Sequence, residues 1–249
     1  MSSEKTDAIV IRLVDFSESS AVVTLFTRDF GKISGLAKGA RRPKSAFESA
    51  LDLLAVCRIV FLHKSSDALD LLTEAKLERR FRAATRDLSR LYAGYYLAEL
   101  LNDLTEPGDP HPELFEAADA ALAALDGQGD VPAVIARFEL TLLRFVGHLP
   151  ELESCVECST PIASTGRVSF GLLSGGVLCP KCRSGKRQVA SVQAATIAEM
   201  RMLASDQRPW AESQLDRARL GELRGVLNHY FANLLGKRPR MVSYLGTLV

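Results

Sequence analysis

Two Cys-x-x-Cys pairs, Cys155/Cys158 and Cys179/Cys182, hold four of the chain's five cysteines and bracket a segment with little else to stabilise it. Thiolates at this spacing suit tetrahedral Zn2+, because each pair turns two sulfurs inward from one tight knuckle. The constraint works by exclusion. Four sulfurs fill the coordination shell and leave no position for water or substrate, so such a metal holds a fold together and does not catalyse. Redox dithiols or disulfides are the rival reading, disfavoured because no thioredoxin-like βαβ pattern surrounds the pairs. A zinc deaminase also carries Cys-x-x-Cys, but its signature is His-x-Glu followed by Pro-Cys-x-x-Cys, with proline directly before the first cysteine; here Pro180 lies inside the second pair. The expected cofactor is structural zinc on Cys155, Cys158, Cys179 and Cys182, in a ribbon over residues 152–187. Val168-Ser169-Phe170 and Gly175-Gly176-Val177-Leu178 read as a hairpin leading back into the second knuckle.

The remainder of the 249 residues divides by hydrophobic period. Ala8–Val14, Ala21–Thr27 and Gly31–Ala37 are strand-like runs, the last two joined by the short Arg28-Asp29-Phe30 connection. Leu53–Leu62 and Leu69–Leu77 supply two more around a turn at Ser65-Ser66-Asp67. Five strands with short turns suit a small closed or partly closed barrel. An SH3-like barrel has similar content, and strand counting does not separate the two. From Glu78 the period becomes helical: Leu97, Leu100, Leu101 and Leu104 recur on one segment, Val134, Phe138 and Phe145 on another. Pro107–Pro110 and Asp126–Asp130 punctuate these helices. Tyr92, Tyr95 and Tyr96 on the first read as core packing with hydroxyls at the rim. Helix is expected again over Val192–Leu203 and Ala211–Leu235, with Leu223, Leu227, Tyr230, Phe231 and Leu234 as an apolar stripe. The fold class expected is therefore α+β and multidomain: a five-stranded barrel over residues 1–79, then an all-α domain over 80–249 carrying the zinc insertion 152–187.

Charge is balanced overall, +1 net, so a nucleic-acid surface would have to be a local patch. One exists. Arg28, Lys32, Lys38, Arg41, Arg42 and Lys44 stand against the single acid Asp29, among Gly31, Gly35 and Gly39. Phe26, Phe30 and Phe47 flank the run as candidate stacking platforms, although Phe26 alternates with Val22 and Thr24 and so suits an inward position. Cations that track phosphates beside rings that accept bases are what a single-strand-binding groove needs. Lys237, Arg238 and Arg240 form a second cluster, which the dipole of the preceding helix also explains. Arg183, Lys186 and Arg187 follow the last cysteine and suit compensation of an anionic zinc–tetrathiolate centre. No run of 18 apolar residues exists to span a membrane, and the N-terminus lacks a secretory-type apolar stretch. With metal-type cysteine spacing, this places the expected protein in a reducing cytosol.

Taken in order along the chain, Ala8–Arg12, Val23–Thr27, Gly31–Arg42 continuing into Lys44-Ser45, the cysteine quartet and Leu235-Gly236-Lys237-Arg238 resemble the RecO family of bacterial recombination mediators. The resemblance implies an N-terminal OB-fold and a helical domain with a zinc-binding insertion. It implies binding of single- and double-stranded DNA, strand annealing, and help in loading RecA onto DNA coated by single-strand-binding protein, within the RecF pathway. The partners implied are RecR and the acidic, hydrophobic C-terminal tail of single-strand-binding protein, with a cytoplasmic, nucleoid-associated location. Arg137 and Arg144 are candidates for that tail's carboxylates.

The chain carries no Gly-x-x-x-x-Gly-Lys-Ser/Thr, His-Glu-x-x-His or Gly-x-Ser-x-Gly, so an enzyme is not expected. Cys57 reads as a small core residue. Asp67, Asp70 and Glu74 are the nearest approach to a nuclease's carboxylate cluster. The other rival is an adaptor that mainly bridges repair proteins.

Overall fold

A computed structural model of the protein describes residues 2–42, 45–47, 50–63, 69–85 and 87–246. The chain divides into two compact units, Met1–Gly127 and Gln128–Val249. No helix among the described residues is long and apolar enough to cross a membrane.

The first unit opens with five strands: β1 (Ser2–Asp15), β2 (Ala21–Thr27), β3 (Gly31–Ala37), β4 (Val56–His63) and β5 (Asp70–Arg79). They close into a barrel in the order β1-β2-β3-β5-β4. Closure depends on β1, whose length lets it pair antiparallel with β4 from Ser2 to Ile9 and with β2 from Ala8 to Asp15. A register shift between Val10 and Arg12 bends the strand between these partners. On the far side β3 and β5 meet in parallel, Gly35–Ala37 against Asp70–Leu72. Val10, Val23, Leu25, Ile59, Phe61 and Leu72 fill the interior. The strand forecast matches this sheet except at the ends. Ser2–Asp7 lacks a β-branched run and is strand only because β4 lies beside it. Leu53–Ala55 is not strand, since Leu54 has a left-handed φ of 67° while its N–H bonds to the Val10 carbonyl at 2.8 Å. The turn expected at Ser65–Asp67 lies outside the described residues.

Two helices, α1 (Leu88–Leu104) and α2 (Pro112–Asp126), belong to the barrel's unit. Asp87 caps α1 by accepting from the Ser89 N–H, and Tyr96 is buried on it, as core packing requires. Phe26 of β2 meets Phe115 of α2 at 6.3 Å between ring centres, and Arg79 of β5 pairs with Asp119. The change of sequence period at residue 79 and the boundary of compactness at Gly127 are thus different places. The loop before α2 is fixed at Gly31, whose φ of 64° favours glycine and where a Cβ would lie 2.2 Å from the Asp109 carbonyl oxygen. Gly31→Ala is therefore expected to destabilise the chain by about 2–4 kcal/mol, through clash and backbone strain together; denaturant melts check this, and a loss below about 0.5 kcal/mol would contradict the contact.

The second unit contains α3 (Val131–Phe145), β6 (Arg167–Gly171), β7 (Gly176–Leu178), β8 (Val189–Gln193), α4 (Ala194–Ser205) and α5 (Arg217–Leu235). Asp130 caps α3 and Asp216 caps α5, each with its carboxylate on a first-turn N–H. Gly236, at φ 66°, ends α5. The expected hairpin is β6 with β7. A third strand, β8, extends it in the order β7-β6-β8, and the sequence reading passed over it. The three helices pack on one another around a buried ion pair between Arg224 of α5 and Glu139 of α3.

Candidate nucleic-acid interface and metal centre

Beyond Ala37 the chain leaves the barrel wall in a turn that Gly39 permits with φ 74° and that the Arg42 N–H closes on the Gly39 carbonyl at 3.0 Å. This turn is stitched to the β1–β2 connection. The Arg41 N–H donates to the Ser19 carbonyl at 3.1 Å, and the Gly39 N–H reaches Ser20 Oγ at 3.4 Å. Arg41 itself pairs with Asp15 at 2.9 Å. Between the two segments lies a cleft of about 400 Å3 lined by Phe16, Ser17, Ser19, Ser20, Lys38 and Arg42, with Leu36 and Gly39. Lys38, Arg41 and Arg42 are exposed, and Lys38 and Arg42 have no ion-pair partner among the described residues.

Arg28 and Lys32, the other described cations of that stretch, do not line the cleft. Arg28 pairs with Glu116 of α2 at 3.0 Å. Lys32 Nζ donates to the Asn102 carbonyl at 2.5 Å, and burial lowers its pKa against the opposing pull of Glu106 and Asp103. Lys44 lies outside the described residues. Lys237, Arg238 and Arg240 follow α5 in the second unit, where all three are exposed.

Of the three rings expected to stack on bases, Phe26 and Phe47 are buried and Phe30 is half-buried against the barrel core. Phe26 is wholly buried, Phe47 is 5% exposed, and Phe30 packs edge-on against Phe61 at 5.3 Å. The exposed ring at the cleft is Phe16, at 65%, which the sequence reading missed. A phenylalanine inside a serine-rich turn, Phe16-Ser17-Glu18-Ser19-Ser20, was the available signal. Arg137 is also reassigned. It is 4% exposed, donates to Ser213 Oγ and the Asp206 carbonyl at 2.9 and 2.8 Å, and lies 4.2 Å from the Trp210 ring centre. Its guanidinium is spent inside the unit. Arg144 is exposed and bonds the Ala204 carbonyl at 2.9 Å. Of the carboxylates considered for a nuclease, Asp70 is buried against His63 at 3.2 Å and Glu74 is exposed, while Asp67 lies outside the described residues.

The four predicted cysteines do converge. The Sγ atoms of Cys155, Cys158, Cys179 and Cys182 all lie within 4.8 Å of one another, and no other set of three or more potential ligands does so among the described residues. Ser159, at φ 56°, turns the first knuckle, with the Ser159 N–H on the Cys155 carbonyl at 2.8 Å. The Arg183 N–H closes the second on the Cys179 carbonyl at 3.0 Å. Cys158 and Cys179 sulfurs are 3.8 Å apart, close to the edge of a tetrahedron with metal–sulfur bonds of about 2.3 Å. The donor set fits a structural metal. With protons alone the quartet is uneven. Burial resists ionisation of Cys155, but backbone N–H groups at Cys179, Glu157 and Cys158 outweigh it and hold its pKa at about 6. Cys182, hydrogen-bonded to the Cys158 and Cys179 sulfurs, is pushed up to about 12. A bound dication lets such a set ionise together. His111-Pro112-Glu113, the chain's one His-x-Glu, opens α2 in the other unit.

Comparison with known proteins extends along the whole chain. Residues 1–81 match the family described as Recombination protein O N terminal, and residues 85–242 match Recombination protein O C terminal. The chain belongs to the RecO family. A curated relative from Rhodopirellula baltica, DNA repair protein RecO, is 42% identical, covering 96% of this chain and 97% of its own length. The protein of that name from Anaeromyxobacter dehalogenans is 35% identical over 100% and 99% of the two chains, and that from Myxococcus xanthus 33% over 96% of each. In this chain the two candidate centres are divided: the cleft belongs to Met1–Gly127, the cysteine cluster to Gln128–Val249.

Proposed function

We propose that this RecO-family chain serves DNA repair by binding single- and double-stranded DNA and annealing complementary strands. With RecR, it helps load RecA onto DNA coated by single-strand-binding protein. The observation that carries the reading is the cationic cleft on a closed five-stranded barrel, β1-β2-β3-β5-β4 with β3 and β5 parallel, which we read as the OB-fold that the family resemblance implies. The family of DNA repair relatives supplies the biological setting.

The physics requires no enzyme. Two strands repel each other through their phosphates, and a coating protein hides their bases. Lys38, Arg41 and Arg42 neutralise phosphates on approach, the coating protein's acidic tail is gripped elsewhere on the chain, and base pairing supplies the free energy. The metal assigned to the cysteine quartet is Zn2+, which supplies cohesion alone, since four sulfurs leave no open position. Lys32 is left out of the DNA surface because its ammonium is committed to Asn102. The second cluster, Lys237, Arg238 and Arg240, is assigned a supporting role on duplex DNA.

With about three phosphates engaged on a single strand, log K is expected to fall against log salt with a slope of about −2. Arg41→Ala with Arg42→Ala is expected to weaken binding about tenfold or more and to flatten that slope by about 1.4. Fluorescence anisotropy across a salt series measures both, and an unchanged slope would refute the assignment. The decisive test of function is annealing of complementary strands precoated with single-strand-binding protein, without ATP.

An adaptor that mainly bridges repair proteins is the second reading. It is favoured by one feature, a largely apolar groove between β8, an edge strand, and α5, bounded by Val189, Val192, Val226 and His229. DNA binding by the chain without partners separates the two readings.

A further inference from the structure

The cations account for affinity to any polyanion. They do not by themselves separate a single strand from a duplex. We propose that Phe16 is the seat of an unpaired base, so that the rim cleft selects single strands by ring stacking while Lys38 and Arg42 hold the adjoining phosphates. This rests on the DNA-binding reading above and assigns it a discriminating residue.

Phe16 is the most exposed large apolar side chain among the described residues, at 65%. A turn that can be counted bond by bond holds it there. The Phe16 and Ser17 N–H groups both donate to the Ser20 carbonyl, at 3.0 and 3.2 Å, and the Ser20 N–H returns to Ser17 Oγ at 3.2 Å. The Arg41 N–H pins Ser19 from the opposite segment. A ring carried on so constrained a turn loses little freedom when a ligand covers it, which favours binding. Its surroundings are those of a nucleotide site. The cleft is of nucleotide scale, its other lining is three serines, Lys38 and Arg42 with Leu36 and Gly39, and no acid lines it; of the acids beside it in the chain, Asp15 is held by Arg41 at 2.9 Å and Glu18 is exposed. An apolar protein segment would need the patch to continue. Leu13 and Val14 are partly exposed, but as neighbours on β1 they point to opposite faces, so at most one shares a face with Phe16. A purine or pyrimidine needs only one ring face, which every base offers and which a duplex keeps stacked inside.

The test uses the full chain, with anisotropy on a labelled oligothymidine and on a blunt hairpin duplex of equal charge. Phe16→Ala is expected to weaken single-strand binding about tenfold, to leave duplex binding within about twofold, and to leave the salt slope unchanged. Phe16→Tyr is expected to retain the wild-type preference. Equal losses on both substrates would mean that the substitution acts through the turn, and no loss on the single strand would mean that the ring serves something else, such as a protein partner; either overturns the proposal while leaving the cationic reading intact. Wild-type protein that binds neither substrate at about 50 mM salt would overturn both.

Discussion

Cys179→Ser is expected to release the bound metal and to lower the melting temperature by about 10 °C or more. The size follows from how little else holds that segment. Its local core is Cys155, Leu178 and Cys179, with Cys182 and Val189 partly buried against them, so two of the three buried members are themselves candidate ligands. Residues 157–167 are exposed almost throughout. Segments of this kind bury too little apolar surface to offset their conformational entropy, and metal binding then becomes folding free energy, about 10 kcal/mol or more in small zinc modules. Serine keeps the shape and loses the thiolate. Metal content by a chromophoric chelator and thermal melts would report the two effects together. Because the cleft lies on a unit with its own core, salt-dependent DNA binding is expected to survive in part. Unchanged stability after complete metal removal would sink the structural role.

Arg224→Met is expected to cost about 3–5 kcal/mol, an effect that belongs to the helices of the second unit. Arg224 is 1% exposed and Glu139 is wholly buried. Arg224 Nη2 donates to Glu139 Oε1 at 2.9 Å and to Asn228 Oδ1 at 3.0 Å, while Nη1 meets the second carboxylate oxygen. Breaking such a pair strands a charge where water cannot reach it. Replacing both members with apolar residues removes the stranded charge, so Glu139→Leu with Arg224→Met is expected to recover most of the loss. A double-mutant cycle from denaturant melts isolates the coupling. A single substitution that costs less than about 1 kcal/mol would show that the pair is not dry.

Local chemistry made the barrel strands and the cysteine cluster legible. The strand-like runs of β2 and β3 stand in the structure at the bounds the sequence suggests, Ala21–Thr27 and Gly31–Ala37. The cysteine quartet needed only its spacing. What failed was the assignment of faces. Phe26 lies on a strand buried on both sides, inward by the barrel and outward by α2, whose Phe115 stands 89 residues further along. No period in β2 announces a helix that arrives so much later. Lys32 looked like a free cation for the same reason: the Asn102 carbonyl that engages it belongs to α1. Arg137 sits on a helix whose every face but the last turn is covered, so its apparent surface position disappeared into a bond with Ser213. The strand β8 escaped notice because Val189–Gln193 has little apolar pattern of its own and is strand chiefly by pairing with β6.

The amino-acid sequence by itself determined the five strands of the barrel, most of the helical content after it, the cysteine cluster and the basic stretch, since each rests on spacings within a few residues. Only the tertiary structure decided which cations face solvent, which aromatic ring is left uncovered, and that α1 and α2 share a unit with the barrel. Those are questions of what one segment buries of another, and burial is set by neighbours distant in the chain.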